Sequence, residues 1–130
     1  NMDSKNNCPS PNSSNMESYI LTAQKRKQRD IARKQERWQR GQEIARKAAE
    51  FLKRDYGAVE VILFGSAVEC DRFTLTSDLD LAAKGLPVEK FFAAVAQLQD
   101  FSPEFKIDLV ELERCRESLR QVILTEGRHL

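Results

Sequence analysis

Ala58-Val59-Glu60-Val61-Ile62-Leu63-Phe64-Gly65-Ser66, followed after eleven residues by Asp78-Leu79-Asp80-Leu81, is the stretch that decides how this chain folds. Residues 58–64 are a nearly unbroken apolar run, which predicts a buried strand. The strand closes on Gly65-Ser66, a turn that exposes backbone N–H groups to an anion where the next helix begins. In Asp78-Leu79-Asp80 the two-residue period of a strand puts both carboxylates on one face, roughly 7 Å apart at about 3.3 Å per residue, and turns Leu79 and Leu81 to the core. A phosphate-binding turn and a carboxylate pair able to share a divalent cation thus stand close together in the chain.

The connection between them, residues 67–77, is too short for a helical crossover, so the first two strands are expected to be antiparallel. Residues 78–83 lead through Gly85 and Pro87 into a helix with Phe91, Phe92, Val95 and Leu98 at helical spacing. Beyond Pro103, Phe105 to Val110 reads as a third strand, parallel to the second through a right-handed crossover. A last helix carries Cys115, Leu119, Val122 and Ile123, with Gly127 at its C-cap. This order predicts an α/β (α+β) fold with a small mixed sheet of three or more strands covered by helices. It also brings Ser66, Asp78, Asp80 and Asp108 to the same end of that sheet.

Upstream, residues 1–16 are polar and almost free of apolar side chains, which predicts a disordered segment; Met16 would serve as an initiator. From Glu17 to about Asp55 the chain has few breakers, and Ile31, Trp38, Ala45 and Leu52 recur every seven residues, so a helix is expected, interrupted near Gly41. Residues 17–41 form its basic arm, and residues 42–130 the folded domain. Between positions 25 and 40, eight basic residues face only Asp30 and Glu36, although the whole chain carries a formal charge of +1. The body is therefore mildly acidic and the arm strongly basic.

With 130 residues and 41% hydrophobic content, one domain can bury a core without staples. Cys8, Cys70 and Cys115 are odd in number and widely spaced, which argues against a disulfide framework or a cysteine-rich zinc site and favours a cytoplasmic setting. No apolar stretch approaches a membrane span, and no signal peptide is expected. His129 is the sole histidine, so acid-base work falls to carboxylates.

Asp108 stands among Ile107, Leu109 and Val110, and a carboxylate in so apolar a strand calls for a partner. Magnesium suits the set, because it takes one or two carboxylates together with substrate phosphates and water. Two such ions can stabilise the attacking and leaving oxygens of an in-line displacement at phosphorus. The expected chemistry is metal-dependent nucleotidyl transfer, with Asp78 and Asp80 as shared ligands, Asp108 beside the incoming hydroxyl, and Ser66 with nearby N–H groups on the triphosphate. Glu60 and Glu111 are set aside as ligands, the first for its distance from the turn and the second for its opposite facing.

At Phe64-Gly65-Ser66, Ser77-Asp78-Leu79-Asp80-Leu81 and Ile107-Asp108-Leu109-Val110 the chain resembles the minimal nucleotidyltransferases of the DNA polymerase beta superfamily, over roughly residues 42 to 126. The resemblance implies that Gly65 and Ser66 contact nucleotide phosphates, that Asp78 and Asp80 bind magnesium, and that Asp108 completes a catalytic triad. Two departures stand out: the gap of eleven residues from Ser66 to Asp78 is one longer than usual, and Ala67-Val68-Glu69 replaces a basic residue that often follows Gly-Ser. Arg72 or Lys84 could compensate. Small members of this kind resemble antitoxins encoded beside a HEPN-domain ribonuclease toxin, which implies ATP as donor, AMP transfer to the toxin, and that toxin as partner. The alternatives are a non-catalytic module that neutralises a partner or touches nucleic acid through the basic helix, and transfer to a small molecule of the aminoglycoside type. Nucleic acid is the less expected partner, since a basic run is usually a solvated face and only Trp38 supplies an aromatic ring. The oligomeric state is left open.

Overall fold

A computed structural model describes residues 21–130 of the chain. The expected disordered segment 1–16 and the beginning of the arm lie outside the described residues. The described elements are α1 (Leu21–Tyr56), β1 (Glu60–Phe64), β2 (Leu79–Lys84), α2 (Phe91–Gln99), β3 (Ile107–Glu111), α3 (Glu117–Glu126) and β4 (Arg128–His129). The four strands form one sheet in the order β3-β2-β1-β4. As expected from the short connection, β1 and β2 are antiparallel, with Phe64 opposite Asp80 and Glu60 opposite Lys84. β2 and β3 are parallel, joined through α2, with Asp80 beside Asp108.

Alternation along the strands divides the sheet into two faces. Val61, Leu63, Leu79, Leu81, Ala83, Ile107 and Leu109 point to the main core, which α1 closes with Trp38, Ala45, Ala48, Ala49 and Leu52, and α2 with Ala94 and Leu98. Ile62 and Ala82 point the other way, against Ile123 of α3 and Leu112. Burying a leucine or isoleucine in these layers contributes roughly 1.5–3 kcal/mol each, so the two-sided burial of this small sheet is its main source of stability.

Several details depart from the sequence reading. α1 passes through Gly41 without a break. A Cβ at Gly41 would stand 3.2 Å from Leu79 Cδ2 and 3.4 Å from Phe105 Cε1, so the glycine lets the helix lie close on the sheet instead of ending it. Phe92 is 80% exposed, and the inward positions of α2 are Ala94 and Leu98, with Phe91 and Val95 packed at the edge. Val122 is likewise exposed. The two-residue β4, paired with Ile62 and Leu63 of β1, is too short to leave a periodic signature. Cys115 is a free thiol, and Cys70 is buried in the main core.

Packing of α1 on the body starts inside the segment expected to be an arm. Ala23 to Asp30 are mostly exposed, whereas Arg37 and Trp38 are buried, at 9% and 6% exposure. Arg37 Nη1 donates to the carbonyls of Thr74 (3.0 Å) and Ser77 (3.1 Å), and its guanidinium lies over the rings of Phe73 and Phe105, 5.1 and 4.4 Å from their centroids. Arg40 grips Glu104 through two hydrogen bonds, of 2.9 and 2.7 Å. Replacing Arg37 by Ala would strip two carbonyls of their donor and unstack two rings. We expect Arg37→Ala to lower unfolding free energy by about 2–4 kcal/mol in urea titrations, and a change below about 0.5 kcal/mol would show that the clamp is not structural.

Candidate active site

Gly65 follows β1 directly and has φ +80°, a conformation that costs glycine little and other residues much. A Cβ on it would come within 2.5 Å of Asp80 Oδ2. The glycine is therefore required twice, by the backbone and by the carboxylate pressed against it. Gly65–Val68 form a single tight helical turn that contains Ser66, half-buried. The turn is fixed from behind: the carbonyl of Ala67 accepts hydrogen bonds from both Trp38 Nε1 and Gln42 Nε2, each 2.8 Å long. Trp38 and Gln42 are one helical turn apart, so a single face of α1 supplies both donors.

Asp78 lies one residue ahead of β2 rather than inside it. Its approach is held by the Arg37 clamp on Thr74 and Ser77, by the Ser77 hydroxyl, which accepts from the Thr74 N–H (2.9 Å), and by the Leu79 N–H, which donates to the Lys106 carbonyl (3.0 Å). Asp80 and Asp108 sit side by side in the parallel register, half-buried, on the face opposite Leu79, Leu81, Ile107 and Leu109. On that face α3 covers Ile62 and Ala82, and one step further toward the turn stand Phe64, Asp80 and Asp108.

The electrostatics report the crowding. Burial, then the charge of Asp108, then that of Asp78 push the Asp80 carboxyl up to about 6. Lys106 Nζ approaches Asp108 Oδ1 at 4.0 Å, a neighbour that the sequence reading did not single out. Asp80 thus feels both Asp108 and Asp78 at the end of the sheet where it abuts Gly65. Among the described residues, however, no three acidic, histidine or cysteine side chains are drawn close enough to form a ready-made metal cluster. The donor set still fits magnesium, which needs only one or two carboxylates and completes its shell with phosphate oxygens and water.

Other side chains are sorted by the topology. Lys84 stands opposite Glu60 at the far end of the sheet, so it cannot compensate for the basic residue missing after Ser66. Arg72 leans on Glu69 at 3.9 Å, on the segment between the turn and Asp78, and stays within the neighbourhood. Glu60 and Glu111 are at the far end too. Arg37, Trp38 and Gln42 were missed as supports of the site. Their signal was the combination of polar and aromatic residues on the otherwise aliphatic inward face of a charged helix.

Such an end can bind cations through its carboxylates and phosphate oxygens through the adjoining turn. Residues 46–130 match the family model described as Polymerase beta, Nucleotidyltransferase. No curated protein matches the chain. With most of its length matched and the strand, turn and acidic residues arranged as described, the chain belongs to the polymerase beta nucleotidyltransferase family.

Proposed function

We propose that the protein moves AMP from ATP onto a hydroxyl of a partner protein, and that the partner is a HEPN-domain toxin which it silences as an antitoxin. The observation that carries the transfer chemistry is the crowding at Asp80, whose carboxyl is held near 6 by burial and by Asp108 and Asp78 while it abuts Gly65. Crowded carboxylates beside a phosphate-binding turn are unfavourable alone and favourable around cations. Asp78 and Asp80 would hold magnesium, with Asp108 on the ion nearer the acceptor. Bound there, magnesium supplies charge neutralisation of the phosphates and acidification of the acceptor hydroxyl.

The chain's own groups do the rest. Ser66 and the N–H groups of the Gly65–Val68 turn orient the phosphates, and the Trp38 and Gln42 donors keep that turn from shifting. Asp108 would help to take the acceptor proton, and Lys106, 4.0 Å from it, would offer a positive charge to the spreading negative charge of the phosphates. A macromolecular acceptor is supported by the openness of the site: Asp78, Asp80 and Asp108 are all half-exposed at a sheet end, and the cavities described along α1 and α2 are lined by other residues. The exposed basic residues Lys25, Arg26, Lys27 and Arg29 favour a second reading, in which the helix grips an acidic partner without catalysis.

Incubation with Mg-ATP and the HEPN protein encoded beside it should add one AMP to that protein, read by intact mass, and Asp78→Ala with Asp80→Ala should reduce transfer at least about 1000-fold. Unmodified partner in the presence of bound ATP would leave the non-catalytic reading, and a fully active double variant would remove these acids from the site.

The raised Asp80 value also fixes a pH dependence. The folded protein holds that proton more tightly than the unfolded chain, whose aspartates titrate near about 3.9. Stability therefore falls as pH rises from about 4 through about 6, and the penalty is complete above it. In metal-free buffer Asp80→Asn should raise the melting temperature at pH 7.5 and leave it nearly unchanged at pH 4. Equal shifts at both pH values would show that carboxylate repulsion is not the cause.

A further inference from the structure

Behind the Gly-Ser turn, on the α1 side of the sheet, lies a cavity of about 740 Å³ that takes no part in the proposed transfer. Its walls include Trp38, Gln42, Glu43 and Arg46 from α1, and Arg128 and His129 from β4. The register explains the arrangement: Arg128 stands opposite Leu63, whose side chain points to the core beneath α1, so Arg128 projects toward the helix. Asp80 and Asp108 point to the other face, and the two regions share only the strand and turn between them.

Arg128 is half-buried, and among the described residues its guanidinium has no hydrogen bond or ion pair. Arg46 reaches only Glu43, at 3.9 Å, with both side chains largely exposed. His129, on the opposite face of β4, is 3.6 Å from Glu60 and does not neutralise the pair. Burial, followed by the charge of Arg46, holds Arg128 below its ordinary range, so the two guanidinium groups repel in a partly desolvated place. Gln42, buried in the same wall, has an Oε1 with no partner. A half-buried Arg128 guanidinium without an acid of its own, facing the exposed Arg46 that only Glu43 approaches, is costly for the fold, and an anion between the two arginines would offset that cost.

We propose that this cavity is a binding site for a phosphorylated small molecule, with Arg46 and Arg128 on its phosphate. Phosphate is the favoured anion because two guanidinium groups from opposite walls need several acceptor oxygens and more than one negative charge. The volume lies within the range of ordinary ligand pockets and exceeds a bare phosphate, leaving room for a nucleoside or sugar beside Trp38 and Gln42. Occupancy would be felt at the turn, since the same Trp38 and Gln42 side chains hold the Ala67 carbonyl. The site is thus a means of sensing a phosphate metabolite from behind the catalytic turn. The proposal stands on the cavity alone and does not require AMP transfer to a protein.

The test is binding of inorganic phosphate, AMP and ribose 5-phosphate to metal-free protein by calorimetry at constant ionic strength, with chloride and adenosine as controls, and with amide chemical-shift mapping. At least one phosphate compound should bind, shifting residues 42–46 and 128–129. Arg46→Gln, a change at an exposed helix position that leaves the core intact, and Arg128→Gln should each weaken binding about tenfold or more. Asp80→Asn should leave it unchanged. Stronger binding of AMP than of phosphate would place the nucleoside in the cavity, and equal binding would confine recognition to the phosphate. No binding above the chloride control, binding that survives both arginine changes, or binding that depends on Asp80 would each overturn the assignment.

Discussion

A single carbonyl carries much of this architecture. Ala67 offers its oxygen to two donors from one face of α1, Trp38 and Gln42, and so ties the turn after β1 to the longest helix in the fold. Without that tie the turn would lose these two hydrogen bonds to α1 and keep only its own backbone bonds and the buried Ala67 side chain. Five residues before Gln42 and one before Trp38 begins the matching hold on the second loop, through Arg37 and the carbonyls of Thr74 and Ser77. One helix therefore fixes both approaches to the acidic end, from the face of the sheet that the acids do not occupy.

The division of labour between the faces is what lets so small a sheet host a charged site. Leu79, Leu81, Ile107 and Leu109 are buried under α1 and α2, and each is a chain neighbour of Asp80 or Asp108. The larger apolar core lies on one side of the layer, and electrostatic strain lies on the other, where Asp80 bears the effect of its neighbours beyond the smaller cluster of Ile62, Ala82, Leu112 and Ile123. The two are linked by the backbone only. Substitutions that improve one side need not improve the other.

The legible parts of the sequence were those governed by short-range rules. The run from Ala58 to Phe64, the brief 67–77 connection and the breakers at Gly85, Pro87 and Pro103 were enough to give three of the strands and their directions, and so the common end of Asp80 and Asp108. What escaped depended on long-range contact. Gly41 carries the same local signal whether it ends a helix or admits a leucine and a phenylalanine against it, and only the sheet decides. Arg37 looked like one more charge in a solvated run, because its two carbonyl acceptors are 37 and 40 residues away. β4 has two residues and no period at all. Phe92 falls at helical spacing with Val95, yet a nine-residue helix has room for only a narrow inward stripe, and Ala94 and Leu98 occupy it.

The anchoring of α1 also has a consequence for how the chain assembles. The helix is made first, but its fixed points, Ala67, Thr74, Ser77 and Glu104, come 25 to 64 residues later. During synthesis α1 must wait as an isolated, highly charged helix, soluble by virtue of the very residues that give it no early contacts, until β3 has emerged and the layer can close on it. Order at the acidic end therefore waits on partners that lie far along the chain from the helix that holds it.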